Sequence, residues 1–127
     1  MAEVKEMDSI LLSVKKMLGV PKEYTVFDLD IIMHINSTFS ALHQMGVGPE
    51  EGFSISDETT EWSEYQTRGQ DTANMVKSYM YLKVRTLFDP PTNASLFGVY
   101  EKQLQEYEWR LLIFADELRI QQERESQ

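Results

Sequence analysis

The chain contains no cysteine. It can therefore form no disulfide, no thiolate nucleophile and no cysteine-ligated metal site, and its stability must come from packing. It also lacks an apolar run of the 18 or more residues that span a bilayer, and residues 1–6 lack the basic-then-apolar order of a secretory signal. We therefore expect a protein that is made in a cytoplasm and does not enter a membrane.

Basic residues are scarce relative to acidic ones. Lys and Arg number 12 against 21 Asp and Glu, which gives a formal net charge of −9. General nucleic-acid binding draws on phosphate neutralisation by Lys and Arg, so this balance argues against it. The 127 residues, 42% of them hydrophobic, suffice for one globular domain with a core but not for two of ordinary size.

The first part of the chain carries the apolar spacing of two helices. A short helix over about residues 10–18 can be capped by Asp8 or Ser9. A longer helix over about residues 26–45 can begin with a capping box formed by Thr25 and Asp28. Each helix should contribute one apolar face to a shared core.

An acidic segment without helical period follows. Residues 48–71 contain seven acidic residues and one arginine, a net charge of −6. They predict a structured loop, in which residues 53–56 alternate as one arm of a small β-hairpin that returns through residues 61–65. The loop lacks the alternating ligands and central glycine of a calcium site, so a solvated or partner-facing surface is favoured. Its acidic residues include Glu50, Glu51, Asp57, Glu58, Glu61 and Glu64.

Two further helices are predicted. Asp71 or Thr72 can cap the third, whose wide apolar stripe is typical of a central helix, and Asp89-Pro90-Pro91 must end it. The fourth begins near Leu96, and its spacing is that of a long amphipathic helix or a coiled-coil seam: Tyr100, Leu104, Tyr107, Leu111, Phe114 and Leu118. The fold class is therefore mostly α, a small bundle of about four helices with a long acidic loop between helices 2 and 3.

The last residues have no apolar anchor after Ile120. We therefore divide the chain into one helical domain, residues 1–118, and a C-terminal tail, residues 119–127. The tail is either frayed or ordered by a partner. Its candidate docking residues are Arg119, Ile120, Gln121, Gln122, Glu123 and Arg124.

Residue types used in catalysis and metal binding are present but are not arranged for either. His34 and His43 lie nine residues apart on one predicted helix, about 13 Å, too far to share a metal ion. Asp28 and Asp30 suit the positive end of a helix dipole better than a catalytic pair. Without a phosphate-binding glycine loop or a nucleophile elbow, we expect no enzyme activity, no cofactor and no metal.

Aromatic residues are more numerous than four helices need for closure, and tyrosine and tryptophan are frequent interface anchors. Packing in the core and at its rim is the competing interpretation. Three cations of the third helix are candidates to meet an acidic neighbouring subunit, although plain solvation would also explain them. The candidate subunit-interface residues are Trp62, Tyr65, Lys77, Lys83, Arg85 and Tyr107.

Several stretches together resemble a known family. They are Phe27–Ser37, Gly46–Pro49, Gly52-Phe53, Tyr81–Arg85, Leu87–Pro91 and Glu108-Trp109-Arg110-Leu111. Between Ser9 and Asp116 the chain resembles the head-tail connector, adaptor or head-completion proteins of long-tailed double-stranded DNA phages, the siphophage type. The residues from Arg119 onward continue beyond the part that matches.

The resemblance implies a helical subunit of the virion neck that assembles as a ring, typically of twelve copies, beneath the portal protein. Such a ring would extend the DNA channel and dock a stopper or other neck protein, while DNA passes without sequence-specific binding. The acidic loop could then line the lumen, because a negative wall does not grip phosphates. The alternative is a soluble acidic helical interaction module that regulates a single phage or host protein.

Overall fold

A computed structural model describes residues 6–126. Residues 1–5, at the start of the predicted domain, where a secretory signal was not expected, lie outside the described residues, as does Gln127, at the end of the predicted tail. Four main helices and one short 3-10 turn organise these residues. The mostly helical architecture with a long C-terminal helix is thus confirmed. The helices are α1 (Ile10–Leu18), α2 (Asp28–Gln44), α3 (Gln70–Phe88) and α4 (Ala94–Glu125), with the turn at Trp62–Glu64.

Helix α1 has a defined cap at each end. Ser9 is the N-cap, and its hydroxyl accepts a hydrogen bond from the Leu12 amide (3.2 Å), which confirms one of the two predicted caps. Gly19 ends the helix in the left-handed conformation, with φ of 79°. A residue with a Cβ adopts this conformation only at a cost, so glycine suits the position.

The predicted capping box of α2 is wrong. Phe27 occupies the N-cap without a side-chain hydrogen bond, and Thr25 contributes only its backbone carbonyl to the Asp28 amide (3.2 Å). The Asp28 carboxylate instead pairs with Lys15 Nζ at 2.8 Å. Lys15 is 1% exposed and also donates to two backbone carbonyls between α1 and α2. A buried ammonium requires such partners, and this need outweighs the local cap.

The predicted β-hairpin in the loop is also wrong. Within residues 6–126 the β-pairing is limited to an isolated antiparallel bridge between Ser9 and Glu61. At residues 53–56 the chain lies along α2, where the side-chain amide of Asn36 makes two hydrogen bonds to the backbone of Ile55. Asn36 Oδ1 accepts from the Ile55 amide (2.8 Å), and Asn36 Nδ2 donates to the Ile55 carbonyl (2.9 Å). Contacts with the helices satisfy the loop backbone, so it does not need to pair with itself.

Helix α3 is the centre of the bundle, as its wide apolar stripe predicts. It packs against α1, α2 and α4. It begins at Gln70 after Gly69, so the predicted caps Asp71 and Thr72 are wrong and lie in the first turn. The helix buries Tyr79 together with three other apolar side chains, each at most 1% exposed: Val76, Met80 and Val84.

Helix α4 begins two residues before the predicted Leu96. Asn93 is its N-cap, and Asn93 Oδ1 accepts from the Leu96 amide (3.1 Å). The helix packs chiefly on α3, where Tyr79 Oη donates to Glu108 Oε2 at 2.7 Å. Burial and this carboxylate raise the pKa of the Tyr79 hydroxyl. The helix runs without a break past residue 118 to Glu125, so the tail continues α4.

Candidate interaction surfaces

The acidic loop, residues 48–71, is attached to the start of α1. Ser9 Oγ donates to the Glu58 carbonyl (2.7 Å), and the Ile10 amide donates to the Thr60 carbonyl (3.0 Å). These bonds are long-range and partly shielded from water, which makes them stronger than solvent-exposed ones. The loop is therefore held at a defined position although it contains almost no regular secondary structure.

All six candidate acidic side chains of the loop are exposed. The Thr59 hydroxyl and amide both donate to Asp57 Oδ1, and these hydrogen bonds lower the pKa of Asp57. Glu64 Oε2 accepts from the Glu61 amide at 2.7 Å. Across residues 6–126, no ion pair includes an acid of this loop. The loop therefore presents negative charge that the subunit itself does not neutralise.

Two candidate interface residues, Trp62 and Tyr65, lie inside the subunit. Each is 7% exposed, and their rings pack against Phe39 with centroid distances of 6.1 and 4.9 Å. Trp62 Nε1 donates to Ser13 Oγ at 2.9 Å, and burial raises the pKa of the Tyr65 hydroxyl. These side chains fasten the loop to α1 and α2, so a neighbouring subunit would reach them only after the loop had opened.

The three cations of α3 do not form one basic face. Lys77 Nζ lies 5.7 Å from the centroid of the Trp62 ring, on the side of the loop. Arg85 points into a groove formed with α1 and α4. Lys83 lies two residues before Arg85, about 200° around the helix, and so on another side. Each cation therefore meets a different environment.

The α1–α3–α4 groove brings together two of the predicted interface residues, Arg85 and Tyr107. It has a volume of about 500 Å³ and is open to solvent. Arg85 Nε is buried, yet within residues 6–126 it has no acceptor, and no carboxylate pairs with its guanidinium. The walls are formed by Met17, Ser78, Tyr81, Leu82, Arg85, Val99, Tyr100, Gln103 and Tyr107. The groove is thus largely aromatic and aliphatic around one unpaired cation.

A second apolar surface, the α2 ridge, consists of Val26, Leu29 and Met33. These side chains are 70%, 79% and 66% exposed. Sequence reasoning assigned the stretch around them to the core and missed this surface. Helical periodicity accounts for the exposure once the packing is known, because Ile31 and Ile35 belong to the buried stripe, and residues 29 and 33 lie on the opposite side of a helix with 3.6 residues per turn.

The six candidate docking residues of the tail are exposed along the last turns of α4. The tail is ordered by local pairs: Arg119 Nη1 lies 2.9 Å from Glu123 Oε1, and Arg119 Nε lies 3.9 Å from Asp116 Oδ1. Ile120 is 41% exposed and is the apolar side chain that the tail offers to a partner. Exposed pairs of this kind stabilise a helix by only a few tenths of a kcal/mol, about 0.3–0.5.

Metal ligands are not assembled in the part of the chain that the structure describes, because no group of three His, Asp or Glu side chains is suitably placed. His43 Nε2 lies 2.8 Å from the Glu50 carbonyl, and Asp28 is engaged by Lys15. Both side chains therefore have structural contacts. Of the helices between residues 6 and 126, none is long and apolar enough to cross a membrane.

Among the comparisons with known proteins, a match to one protein family was found. No curated protein and no solved structure matched the chain. The model of the family described as phage connector protein matches residues 10–117, which covers α1, α2, the acidic loop, α3 and most of α4. The match ends within α4, before the tail, at about the position where the resemblance in the sequence ends. The chain belongs to the phage connector protein family.

Proposed function

We propose that this protein is a head-tail connector subunit that forms a ring of twelve copies beneath the portal of a long-tailed phage. The ring extends the DNA channel and docks the stopper or other neck protein that follows. Membership of a family of structural proteins over residues 10–117 supports this function. The observation that carries it is that the single subunit leaves two apolar surfaces, the α2 ridge and the α1–α3–α4 groove, without cover.

The acidic loop suits the wall of a DNA channel. Its six exposed carboxylates are not neutralised within residues 6–126, and a negative wall repels phosphates rather than gripping them. We propose that Glu50, Glu51, Asp57, Glu58, Glu61 and Glu64 face the lumen. A particle map with this loop on the outer surface of the ring would contradict the proposal.

The C-terminal end of α4 is proposed to dock on the portal protein. Beyond residue 118 the helix carries exposed side chains and one apolar residue, Ile120, that its own subunit leaves 41% exposed. An exposed helix end with so few contacts to its own domain is suited to bind a partner.

Particle composition tests the function. Phage particles should contain this protein at about twelve copies, measured by quantitative mass spectrometry against the portal protein. Phage that lack the gene should accumulate DNA-filled heads without tails. If the protein is found only in the soluble fraction and the particles are complete without it, the connector function is wrong. The soluble regulatory module, which acts on one phage or host protein, would then replace it.

A further inference from the structure

The two uncovered apolar surfaces of the subunit differ in shape. The α2 ridge is convex, because Leu29 and Met33 project from the side of the helix that faces away from the core, and the exposed Val26 lies just before the helix. The α1–α3–α4 groove is concave, and its rims carry exposed apolar side chains, with Met17 at 52% and Val99 at 60% exposed. A convex ridge fits into a concave groove, which favours a contact between these two different surfaces.

Both surfaces lie at the same level along α3. The start of α2 packs beside the end of α3, where the Phe27 and Phe88 rings are 5.4 Å apart between centroids. Arg85, at the floor of the groove, lies one helical turn before Phe88. In a contact between two surfaces at one level, the neighbouring copy lies beside the first copy and is not shifted along α3. Such a contact is compatible with a closed flat ring.

Charge is complementary between the two surfaces. Asp30 is exposed on the first turn of α2 beside the ridge, and across residues 6–126 it has no cation within ion-pairing distance. Arg85 Nε is buried in the groove without an acceptor. A buried donor without a partner is unfavourable, and a carboxylate that enters the groove would supply the missing acceptor.

We propose that the α2 ridge of one copy fills the α1–α3–α4 groove of the next copy, where its Asp30 carboxylate accepts hydrogen bonds from the Arg85 guanidinium. Because ridge and groove are different surfaces, the contact is head-to-tail and can repeat around a ring. This inference rests on the proposed connector function and names the side chains of its subunit interface. A different neck protein in the groove is the competing occupant.

Cysteine cross-linking tests the contact directly, because the natural chain contains no cysteine. The double variant Leu29→Cys with Val99→Cys carries one thiol on the ridge and one on the rim of the groove. In purified particles, a short bis-maleimide should link successive copies into a ladder that ends at the full ring. Ser40→Cys with Val99→Cys is the matched control, since Ser40 is exposed on the same side of α2 about 16 Å from Leu29. This control should give no ladder.

Charge exchange provides a second measurement. Asp30→Arg and Arg85→Asp should each reduce incorporation into particles at least tenfold, and the double variant should restore most of it. If the protein is incorporated but neither the ladder nor the rescue occurs, the ridge-groove contact is wrong and the connector function stands. A cross-link from the groove to another neck protein would establish the competing occupant. If the natural protein is absent from particles, the connector function itself is wrong.

Discussion

The acidic loop and helix α4 organise their residues in opposite ways. The loop has almost no regular secondary structure, yet it buries Ile55, Trp62 and Tyr65 and is bonded to α1 and α2. Helix α4 is 32 residues long and fully regular, yet it buries only Leu104 and Leu111. Regular backbone is therefore a poor guide to where this subunit is held together. The irregular segment is part of the core, and much of the long helix is surface.

The difference follows from what each segment must satisfy. A helix satisfies its own backbone hydrogen bonds, so α4 can extend beyond the bundle at little cost. A loop cannot, so its backbone groups need partners such as Asn36 and Ser9, and its aromatic rings provide the burial. The side chains of α4 that point away from α3 consequently remain exposed.

The two tryptophans give the sharpest contrast. Trp62→Ala removes a side chain that is 7% exposed and packs on Phe39, Tyr65 and Tyr81, so we expect the free energy of unfolding to fall by about 3–5 kcal/mol. Trp109 in α4 is 64% exposed, and Trp109→Ala should change the free energy by less than about 0.5 kcal/mol. Urea unfolding followed by circular dichroism measures both.

Amide hydrogen exchange shows in which part of the chain each of the two tryptophan substitutions reduces stability. Trp62→Ala should raise exchange throughout the loop before global unfolding, whereas Trp109→Ala should leave exchange in both regions unchanged. Equal losses of stability from the two substitutions would mean that α4 contributes as much burial as the loop, and the comparison would fail.

Two glycines extend the contrast to the backbone. Gly48 has φ of 92°, and an added Cβ would lie 2.5 Å from Tyr65 Oη. Gly48→Ala should therefore cost about 2–4 kcal/mol from backbone strain together with overpacking. Gly98 is helical in α4 and open, so Gly98→Ala should stabilise by about 0.5–1 kcal/mol. Thermal melts compare the two, and a stable Gly48→Ala variant would show that the loop can move away from Tyr65.

High pH should weaken both regions at their tyrosine contacts. Burial raises the pKa of Tyr65 in the loop and, with Glu108, the pKa of Tyr79 beneath α4. The unfolded chain therefore releases these protons first, near pH 10, and stability that is complete below pH 10 is lost as the pH rises further. The expected slope is at most about 1.4 kcal/mol per pH unit for each tyrosine.

Single substitutions separate the two contributions. Tyr65→Phe and Tyr79→Phe should each flatten the dependence of the urea midpoint on pH between about 10 and 11. A natural protein whose midpoint does not change above pH 10 would mean that these hydroxyls reach water in the folded state.

Sequence reasoning predicted the elements that depend on local periodicity. The existence of all four main helices, the Ser9 cap and the central position of α3 followed from residues close together in the chain. The capping box at Thr25 failed because Lys15, 13 residues before Asp28, competes for the same carboxylate. The hairpin failed because Asn36 supplies the partner for Ile55. A long-range ion pair decided the first outcome and long-range side-chain hydrogen bonds decided the second, and neither leaves a period in a sequence.

The candidate surfaces were predicted less completely than the helices. Trp62 and Tyr65 are of residue types that are common at interfaces, but the extent of their burial depends on the path of the loop. The α2 ridge was hidden for the converse reason, since an exposed Leu29 and a buried Ile31 look alike in composition. Which side chains of an amphipathic helix are buried depends on the rotation of the helix about its axis. That rotation is defined only when the packing partner is known.

Deletion of the tail should have the smallest effect on stability and the clearest effect on assembly. Residues 119–126 are exposed and bonded only to one another and to the preceding turn, so removal of residues 119–127 should change the free energy of unfolding by about 0.5 kcal/mol or less. If this end of α4 docks on the portal, co-sedimentation with purified portal rings should fall at least tenfold. Ile120→Asp in the full chain should give most of that loss without shortening the helix. Wild-type binding by both variants would assign the docking surface to another part of the subunit, while unfolding of the truncated chain would show that the last turns of α4 belong to the core.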